Sequence, residues 1–510
     1  MPAGDRGRSQ VKQTAHGSVT YTEVDGSYFA ARGLRRHAGV LALWALGVGA
    51  VISGHFSGWN LGLATGGWGG LFLATLVITV MYLGLAFSIA EMSAALPHTG
   101  AAYSFARSAM GPWGGFVTGL CENVEYVLAP TVIVSFIGAY LGSIFGFPTA
   151  HQPVFWIATY VVFVWLNVHG VAMTFRVTVA VTVAALACLV AFWLSALPSA
   201  DFSRWALDIG AGPDGAPVRL QGGGGPFLPF GIAGVLASLP YAVWLFLAIE
   251  ELPLAAEESL DPRRDMPKGL VLGMATLILS AFLTMWLNSS IPSGAFALST
   301  STEPRLDGFK AIYGEGIARL LALVAVVGLI ASFHTIIFAK GRQIYSLSRA
   351  GYFPRALSLT HGARKTPHVA MVVGSLVGLV LMAVVWGVLG PERGTAVISG
   401  MLLNMVVFAA MVSYVMQAVS FIVLRRVRPQ MERPYRSPFG IPGAVATIAI
   451  ALVTLGFQLA DPVYRAGVIA VAVWFAVCIA YFALVGRHRL VLSPEEKFAM
   501  TGGRSGYESH

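Results

Sequence analysis

Three glutamates, Glu122, Glu125 and Glu250, lie deep inside long apolar stretches of the 510-residue chain. Glu122 and Glu125 are three positions apart, so in a helix they share one face. Counted from Gly111 at about 1.5 Å per residue, they lie about 16 to 21 Å along that helix, well inside a hydrocarbon layer about 30 Å thick. An ionisable side chain at this depth costs at least ~2.5 kcal/mol and usually marks the path of a solute or a proton. Since no lysine or arginine is obviously placed within the apolar stretches to neutralise them, the three glutamates indicate a site for a cationic solute or a proton.

These glutamates also have a structural interpretation, in which burial keeps them protonated or a neighbouring helix binds them by hydrogen bonds. Three further glutamates lie nearer to a basic loop, and we expect them to form gate or loop ion pairs with its cations. These glutamates are Glu251, Glu257 and Glu258, and the cations are Arg263, Arg264 and Lys268.

Two aromatic side chains and two histidines are further candidates. Trp244 and Phe246 occupy a predicted interruption of the sixth apolar stretch, where a ring could cover a bound ammonium through cation–π attraction of about 0.5–2 kcal/mol. His55 and His334 are unusual inside apolar stretches, and each is a candidate to contact the solute or its proton. The alternative for both histidines is a hydrogen bond to a neighbouring helix.

The elements that position these residues are membrane spans. The chain is 56% hydrophobic and only 11% charged, whereas soluble domains are about a quarter charged. Apolar runs of ~20 residues, the length that crosses a bilayer, recur from residue 38 to residue 485 and leave no room for a separate soluble domain. The first run follows a polar arm and exceeds the length of a signal peptide, so we do not expect a cleaved leader. The three cysteines lie inside apolar runs, which predicts neither a disulfide framework nor a metal site.

The runs predict an all-α polytopic membrane protein with about twelve transmembrane helices, since the strands of a barrel would alternate over ~10 residues. The predicted spans are 38–65, 69–96, 111–146, 153–169, 171–197, 228–255, 268–292, 316–348, 367–389, 395–424, 440–460 and 464–485. With the N-terminus inside, most of the 33 lysines and arginines fall on cytoplasmic segments, as the positive-inside rule requires. This topology explains the net charge of +9, so binding to nucleic acid is not needed to account for it. It predicts a protein of the inner membrane whose two termini lie in the cytoplasm.

Spans 1 and 6 contain irregular sequence. Span 1 includes Gly47-Val-Gly49-Ala-Val-Ile-Ser53-Gly54, and span 6 runs from Pro229-Phe-Gly231 through Ser238-Leu-Pro240. They open two consecutive five-helix units, and interruptions at corresponding positions of two repeats indicate a solute site near the membrane midplane. Unwound backbone there must face protein, solute or water. The alternative is that the glycines only permit close helix packing.

The predicted organisation follows from these units. It comprises a cytoplasmic arm 1–37, a first inverted repeat 38–197, an external loop 198–227, a second inverted repeat 228–424, two further spans within 425–486 and a cytoplasmic tail 487–510. Both termini are polar and poor in large apolar residues, which predicts disorder. The glycine run 222–225 predicts a flexible external loop.

Four stretches carry a family resemblance. They are the glycine-rich part of span 1; Glu91-Met-Ser-Ala-Ala-Leu-Pro97-His-Thr-Gly100-Ala-Ala-Tyr103; Glu250 followed by Ala256-Glu257-Glu258 and Asp261-Pro262-Arg-Arg264-Asp-Met-Pro267; and Arg342-Gln-Ile-Tyr345-Ser-Leu-Ser-Arg349-Ala-Gly351-Tyr-Phe-Pro354 with Thr366-Pro367. In this order they resemble the amino acid–polyamine–organocation superfamily over nearly the whole chain. The resemblance implies a secondary transporter with a five-plus-five inverted-repeat fold, broken helices 1 and 6, and alternating access in which spans 1, 2, 6 and 7 move against the rest.

Shorter details are similar to the ethanolamine permeases. They are Leu34-Arg-Arg-His-Ala-Gly39, Gly54-His-Phe-Ser-Gly-Trp-Asn60, Glu122-Asn-Val-Glu125-Tyr126, Ala248-Ile-Glu250-Glu251-Leu-Pro253 and Ser332-Phe-His334. The resemblance implies import of ethanolamine, a small organic cation whose ammonium suits the buried glutamates. The alternative is an amino acid or polyamine permease or exchanger of the same superfamily.

The resemblance also implies a solute site at the two interruptions. The predicted substrate-binding residues are Val51, Ser53, Gly54, His55, Trp244, Phe246, Ala248 and Glu250, and the gate or proton candidates are Glu122, Glu125, Glu250 and His334. In the superfamily's amino acid carriers, amides of small residues in helix 1 receive the substrate carboxylate. Here His55 stands where a second glycine is usual, which is consistent with a solute lacking a carboxylate.

We expect neither a cofactor nor a metal, and coupling to a proton, coupling to sodium and plain facilitated diffusion all remain open. The lysine that some proton-coupled members carry in span 5 is replaced by Ala185. A membrane enzyme is disfavoured, because the chain lacks a His-Glu-x-x-His pair, a cysteine–histidine metal spacing and a nucleophile elbow. The oligomeric state is not predicted.

Overall fold

The computed structural model describes residues 13–460 and 462–501 and is mostly helical in this part of the chain. The α-helices are α1 (Gly26–Ala30), α2 (Val40–Val51), α3 (Gly62–Ala95), α4 (Ala101–Phe145), α5 (Gln152–Val168), α6 (Val171–Ala196), α7 (Phe202–Trp205), α8 (Gly231–Trp244), α9 (Pro262–Ser289), α10 (Gly294–Leu298), α11 (Pro304–Arg349), α12 (His368–Leu389), α13 (Pro391–Val427), α14 (Gly440–Ala460), α15 (Pro462–Leu484) and α16 (Pro494–Thr501). The strands are β1 (Gln13–His16), β2 (Val19–Thr22), β3 (Asp208–Ala211), β4 (Pro217–Arg219) and β5 (Leu490–Val491).

Three of the longest helices bend at glycines. The backbone of α3 turns at Gly67 (φ 66°), that of α4 at Gly111 (φ 80°) and that of α11 at Gly314 (φ 74°). Glycine adopts positive φ without the steric cost that a Cβ brings. The predicted starts of spans 2, 3 and 8, at residues 69, 111 and 316, lie at or close to these bends.

Ten helices of the described chain are long and apolar enough to cross a membrane. They expose large apolar side chains such as Leu320, Val388 and Leu484, whereas many polar side chains are buried. Two of the predicted spans are shorter: α2 has 12 residues and α5 has 17. The all-α membrane architecture is therefore confirmed, while the count of twelve spans and the division into two inverted repeats stay predictions.

The long helices pack as two groups. In one, α2 packs on α9, and α3 packs on α8 and α9. In the other, α4 packs on α11 and α13, and α12 packs on α11 and α13. Contacts of α2 with α11 and of α3 with α13 join the two groups, and α6 packs on both α2 and α11. Helix α14 packs on both α3 and α13, and α15 lies against α13. The candidate residues on α4 and those following α2 and α8 therefore come from different groups.

The two terminal segments form one structure, so the prediction of disorder is wrong for residues 13–37 and 487–501. Strand β1 pairs antiparallel with β2, and β2 pairs parallel with β5 in the register Tyr21–Leu490 and Thr22–Val491. Helix α16 packs on α4. The polar composition predicted solvation, but these segments bury several charged and apolar side chains, among them Tyr21, Arg32, Leu490, Glu495 and Glu496. Residues 1–12 and 502–510 lie outside the described part.

The predicted external loop 198–227 also contains regular structure. It holds the short helix α7 and the antiparallel pair β3–β4. In the glycine-rich part, the Gly224 amide donates to the Leu228 carbonyl at 2.9 Å and the Gly225 amide to the Gly222 carbonyl at 3.0 Å. The predicted flexibility of this loop stays untested.

Candidate functional site

The helical backbone of the first apolar stretch changes at Val51, where α2 ends and a 3-10 turn, Ile52–His55, begins. The Ser53 amide donates to the Ser332 hydroxyl oxygen at 2.8 Å, and that hydroxyl donates to the Gly49 carbonyl at 2.7 Å. Ser332 on α11 therefore satisfies a donor and an acceptor of the helix end. We call residues 52–58 the first interruption. One of its backbone amides, that of Ser53, is already bound by the protein itself.

The sixth stretch changes in the same way. Helix α8 ends at Trp244, Ala248 adopts φ 83°, and a 3-10 segment, Ile249–Glu258, follows. We call residues 244–248 the second interruption. Positive φ is uncommon for a residue with a side chain and often marks a functional constraint. The Trp244 indole donates to the Ser57 carbonyl at 3.1 Å, which places the two interruptions in direct contact.

His55 joins both interruptions to α9. Its Nε2 lies 3.0 Å from the Leu245 carbonyl and its Nδ1 lies 2.9 Å from the Ser280 hydroxyl. Since a carbonyl only accepts, Nε2 carries a proton and donates to Leu245. Both ring nitrogens are thus used by protein groups, and these contacts favour a positioning role for His55 over direct binding of solute.

A cluster of buried carboxyl groups, which we call the carboxylate cluster, comprises Glu122, Glu125 and Glu250. Each is at most 1% exposed. The Glu125 carboxyl lies beside that of Glu250, and the Tyr126 hydroxyl lies 3.5 Å from a Glu122 oxygen. No oxygen of Glu125 or Glu250 meets a donor in good hydrogen-bond geometry among the described residues. Sequence reasoning thus grouped three glutamates that the fold brings into one neighbourhood.

Aromatic side chains from three elements surround this cluster. Tyr82 on α3 and Tyr414 on α13 face each other with their hydroxyl oxygens 3.0 Å apart, and Tyr414 also faces Glu250. The ring of Phe246 lies 5.4 Å from the ring of Tyr82. Sequence reasoning selected Phe246 but missed both tyrosines, because a tyrosine inside an apolar span resembles an ordinary packing residue.

The expected ion pairs of the other glutamates are wrong in their partners. Glu258 binds Arg342 on α11 at 2.8 Å with both side chains fully buried, and Glu257 binds Arg349 on α11 at 2.6 Å. Glu251 is buried, and neither of its oxygens has a hydrogen-bond partner among the described residues. The glutamates contact a helix distant in sequence rather than the adjacent basic loop, and spacing along the chain cannot reveal this.

His334 lies elsewhere on α11. Its Nδ1 is 3.0 Å from the Asn167 side-chain amide, its Nε2 is 3.2 Å from the Thr174 carbonyl, and its ring packs edge-on to Phe163. The structure therefore places His334 between α11, α5 and α6. None of these contacts joins His334 to the carboxylate cluster, and its role as a proton carrier stays a prediction.

Two buried cations were missed from sequence. Arg305 lies in a segment assigned to an external loop, yet its side chain is 1% exposed and contacts the first interruption. Lys340 on α11 is fully buried, with its ammonium 5.5 Å from the Tyr160 ring. Neither forms an ion pair within the described residues.

The whole helical region matches one family of known proteins. Residues 39–485 match the model of the amino acid permease family. This chain belongs to that family. The match spans both interruptions, the carboxylate cluster and all ten long apolar helices, so the permease is a multi-pass membrane protein of the amino acid–polyamine–organocation superfamily.

Relatives of the permease carry different solutes. It is 26% identical to the branched-chain amino acid permease BcaP of Bacillus subtilis over 81% of this chain and 85% of that protein. It is 22% identical to the methylthioribose transporter of the same organism, over 90% and 95%. It is 23% identical to the aromatic amino acid transport protein AroP of Escherichia coli K12, over 88% and 93%. These names support the amino acid alternative better than the expected ethanolamine.

Proposed function

We propose that this permease carries a zwitterionic amino acid across the membrane by alternating access. The observation that supports it most directly is the carboxylate cluster, in which Glu250 follows the second interruption and faces Glu125 on the other helix group. Two adjacent carboxyl groups without a neutralising cation repel each other unless a proton or a bound cation intervenes. The ammonium of an amino acid or a coupled proton supplies that positive charge.

Backbone and aromatic groups complete the proposed site. Carbonyl groups near Val51 and in the segment that follows Trp244 accept from the ammonium, since unwound backbone has unpaired oxygens. The rings of Phe246 and Trp244 border the site and exclude water. The coupling ion, proton or sodium, is part of the transport step and not a resident cofactor.

The proposed movement separates the two helix groups at contacts that close the site on both sides. At the face where the termini meet, which we take as cytoplasmic, Glu258 and Arg342 join the groups by a fully buried ion pair. On the opposite side, the Tyr140 hydroxyl on α4 donates to the Phe56 carbonyl at 3.0 Å, beside the first interruption. Opening toward the cytoplasm breaks the first contact and keeps the second, and opening outward does the reverse.

Ethanolamine is the second candidate, because it needs only the ammonium half of the site. The Ser53 amide favours this candidate. It already donates to the Ser332 hydroxyl oxygen at 2.8 Å, so it is not free to bind a substrate carboxylate. An amino acid requires another donor for its carboxylate, whereas ethanolamine does not.

Uptake into proteoliposomes separates these candidates. Radiolabelled leucine, alanine, phenylalanine and ethanolamine are compared with and without an inward proton gradient. We expect saturable uptake of at least one amino acid, with ethanolamine uptake inhibited by an excess of that amino acid. Ethanolamine uptake that resists all three amino acids, in vesicles that take up none of them, would contradict the proposal and support the second candidate.

A further inference from the structure

The side chain of Arg305 lies buried beside the first interruption. Helix α11 begins one residue before it, at Pro304, and the chain reaches the bend at Gly314 only later. One guanidinium nitrogen donates to the His55 carbonyl at 2.7 Å and the other terminal nitrogen to the Asn288 side-chain oxygen at 3.1 Å. The guanidinium therefore reaches from α11 to the backbone of the interruption and to the end of α9.

Its charge has no carboxylate partner within the described residues. Arg342, the other arginine among the largest fully buried side chains, shows the usual solution, an ion pair with Glu258 at 2.8 Å. Arg305 instead lies 4.1 Å from the ring centre of Phe192, and its Nε has no acceptor. A buried guanidinium has five N–H donors and favours a carboxylate, which it binds through two parallel bonds.

Three other donors of this region are already used. The Ser53 amide binds Ser332, the His55 ring binds Leu245 and Ser280, and the Trp244 indole binds the Ser57 carbonyl. Arg305 thus combines a free donor, an uncompensated positive charge and direct contact with the interruption.

We propose that Arg305 binds the α-carboxylate of the transported amino acid and so determines that this permease prefers amino acids over simple amines. This inference rests on the proposed function, of which it specifies the substrate class. The carboxylate then meets the positive charge of Arg305, while the ammonium meets the backbone carbonyls of the two interruptions. Because Arg305 also bonds the His55 carbonyl and Asn288, binding of the carboxylate is coupled to the contacts that hold the interruption, α9 and α11 together.

The test compares each amino acid with its carboxamide, which keeps the ammonium and side chain but loses the negative charge. Initial uptake of radiolabelled leucine and leucinamide, and of phenylalanine and phenylalaninamide, is measured in proteoliposomes at about pH 6.5, below an α-amino pKa of about 8. The wild-type protein is expected to favour the acid by about tenfold or more, as a charge-assisted hydrogen bond supports. Arg305→Gln is expected to bring this ratio close to one while amide uptake persists.

A matched control and a conservative variant complete the experiment. Arg319→Gln removes an exposed arginine of the same helix and is expected to keep the wild-type ratio. Arg305→Lys keeps the charge but loses the paired geometry, so it is expected to lower the ratio and serves as the readout where Arg305→Gln does not fold.

An unchanged ratio in either Arg305 variant overturns the inference. A wild-type protein that takes up leucinamide as fast as leucine also overturns it, and leaves amine transport standing. Failure of the wild type to take up any amino acid or amide contradicts the proposed function itself.

Discussion

Individual carboxyl groups decide how the proposed site handles charge. Glu250 belongs to the segment after α8, while Glu122 and Glu125 belong to α4, so the cluster spans the two helix groups that the proposed alternating access would move apart. A cation or a proton bound between Glu250 and the α4 glutamates weakens the repulsion between their carboxylates, and separation of the two helix groups would also weaken it. The charges of the three glutamates therefore act together, and removal of one of them tests whether the cluster is needed for transport.

Glu250→Gln is expected to lower amino acid uptake by at least about tenfold, since one charge-assisted contact contributes about 1.5–3 kcal/mol. It is also expected to flatten the pH dependence of uptake, because a proton-binding carboxyl is lost. Initial rates between pH 5.5 and 8 measure both effects. Glu315→Gln, at an exposed glutamate of α11, is the control. Uptake by Glu250→Gln at the wild-type rate across this range would exclude a role for Glu250.

The residues of the candidate site show which features sequence reasoning can select and which it overlooks. Glu122, Glu125 and Glu250 were found because charge inside an apolar run is costly and needs a reason. Arg305 and Tyr414 were not, because Arg305 precedes the bend of α11 in a stretch that resembles a loop, and a tyrosine carries little signal in a span. Partners such as Arg342 for Glu258 depend on helix packing, which local spacing does not encode.

At the scale of elements, the contact between the two interruptions depends on an absent side chain. A Cβ at Gly54 would overlap the carbonyl oxygen of Trp244. The glycines of span 1 predicted an interruption of the helix, with the alternative that they only permit close helix packing. The structure contains both features, since α2 ends at Val51 and Gly54 allows the backbone of the second interruption to approach.

Gly54→Ala is expected to separate the two interruptions and to destabilise the protein by about 1–3 kcal/mol, the usual cost of an added methyl in a packed interior. Transport is expected to fall together with the melting temperature in detergent. Gly316→Ala, at a helical glycine with open space around its Cβ position, should be neutral or slightly stabilising. Equal melting temperatures and uptake for Gly54→Ala and the wild type would show that this contact is not required.

At the scale of the whole molecule, the two termini close one face of the helix bundle. Glu496 accepts hydrogen bonds from Tyr21, Tyr103 and Tyr352 and pairs with Arg107 at 2.5 Å. Glu495 pairs with Arg349, which also binds Glu257. Arg349 thus links the tail to the segment that follows the second interruption. Composition predicted disordered ends because it reports polarity and not the partners that bury it.

The Glu495 carboxyl ties docking of the tail to pH. Burial opposes its ionisation, but the Arg349 guanidinium, helped by His98, outweighs burial and lowers its pKa to about 2, against an ordinary value of about 4.3. A carboxyl with a lowered pKa stabilises the docked state above its unfolded pKa, and this contribution is lost as the pH falls through the folded value. Docking is therefore expected to be constant from pH 8 to about pH 5 and to weaken below that.

A dye on a cysteine placed at Met500, a partly exposed position of α16, reports docking. Glu495→Gln is expected to weaken docking of the tail at pH 7 by about 1.5–3 kcal/mol, because it removes one charge-assisted contact to Arg349 while Glu257 remains paired with that arginine. Glu432→Gln, which breaks an exposed pair with Arg263, should keep the tail docked. Release of the wild-type tail between pH 8 and pH 6 would contradict the role assigned to Glu495.

Counterflow in proteoliposomes tests the central claim most directly, because it requires a carrier that alternates between two sides and needs no coupling gradient. Vesicles loaded with excess unlabelled leucine, alanine or phenylalanine are placed in a trace of the labelled amino acid, with ethanolamine-loaded vesicles in parallel. Amino acid transport by alternating access predicts a transient accumulation of label in vesicles loaded with at least one amino acid and its absence in empty liposomes. Accumulation with ethanolamine alone, or with none of the four solutes, would contradict it.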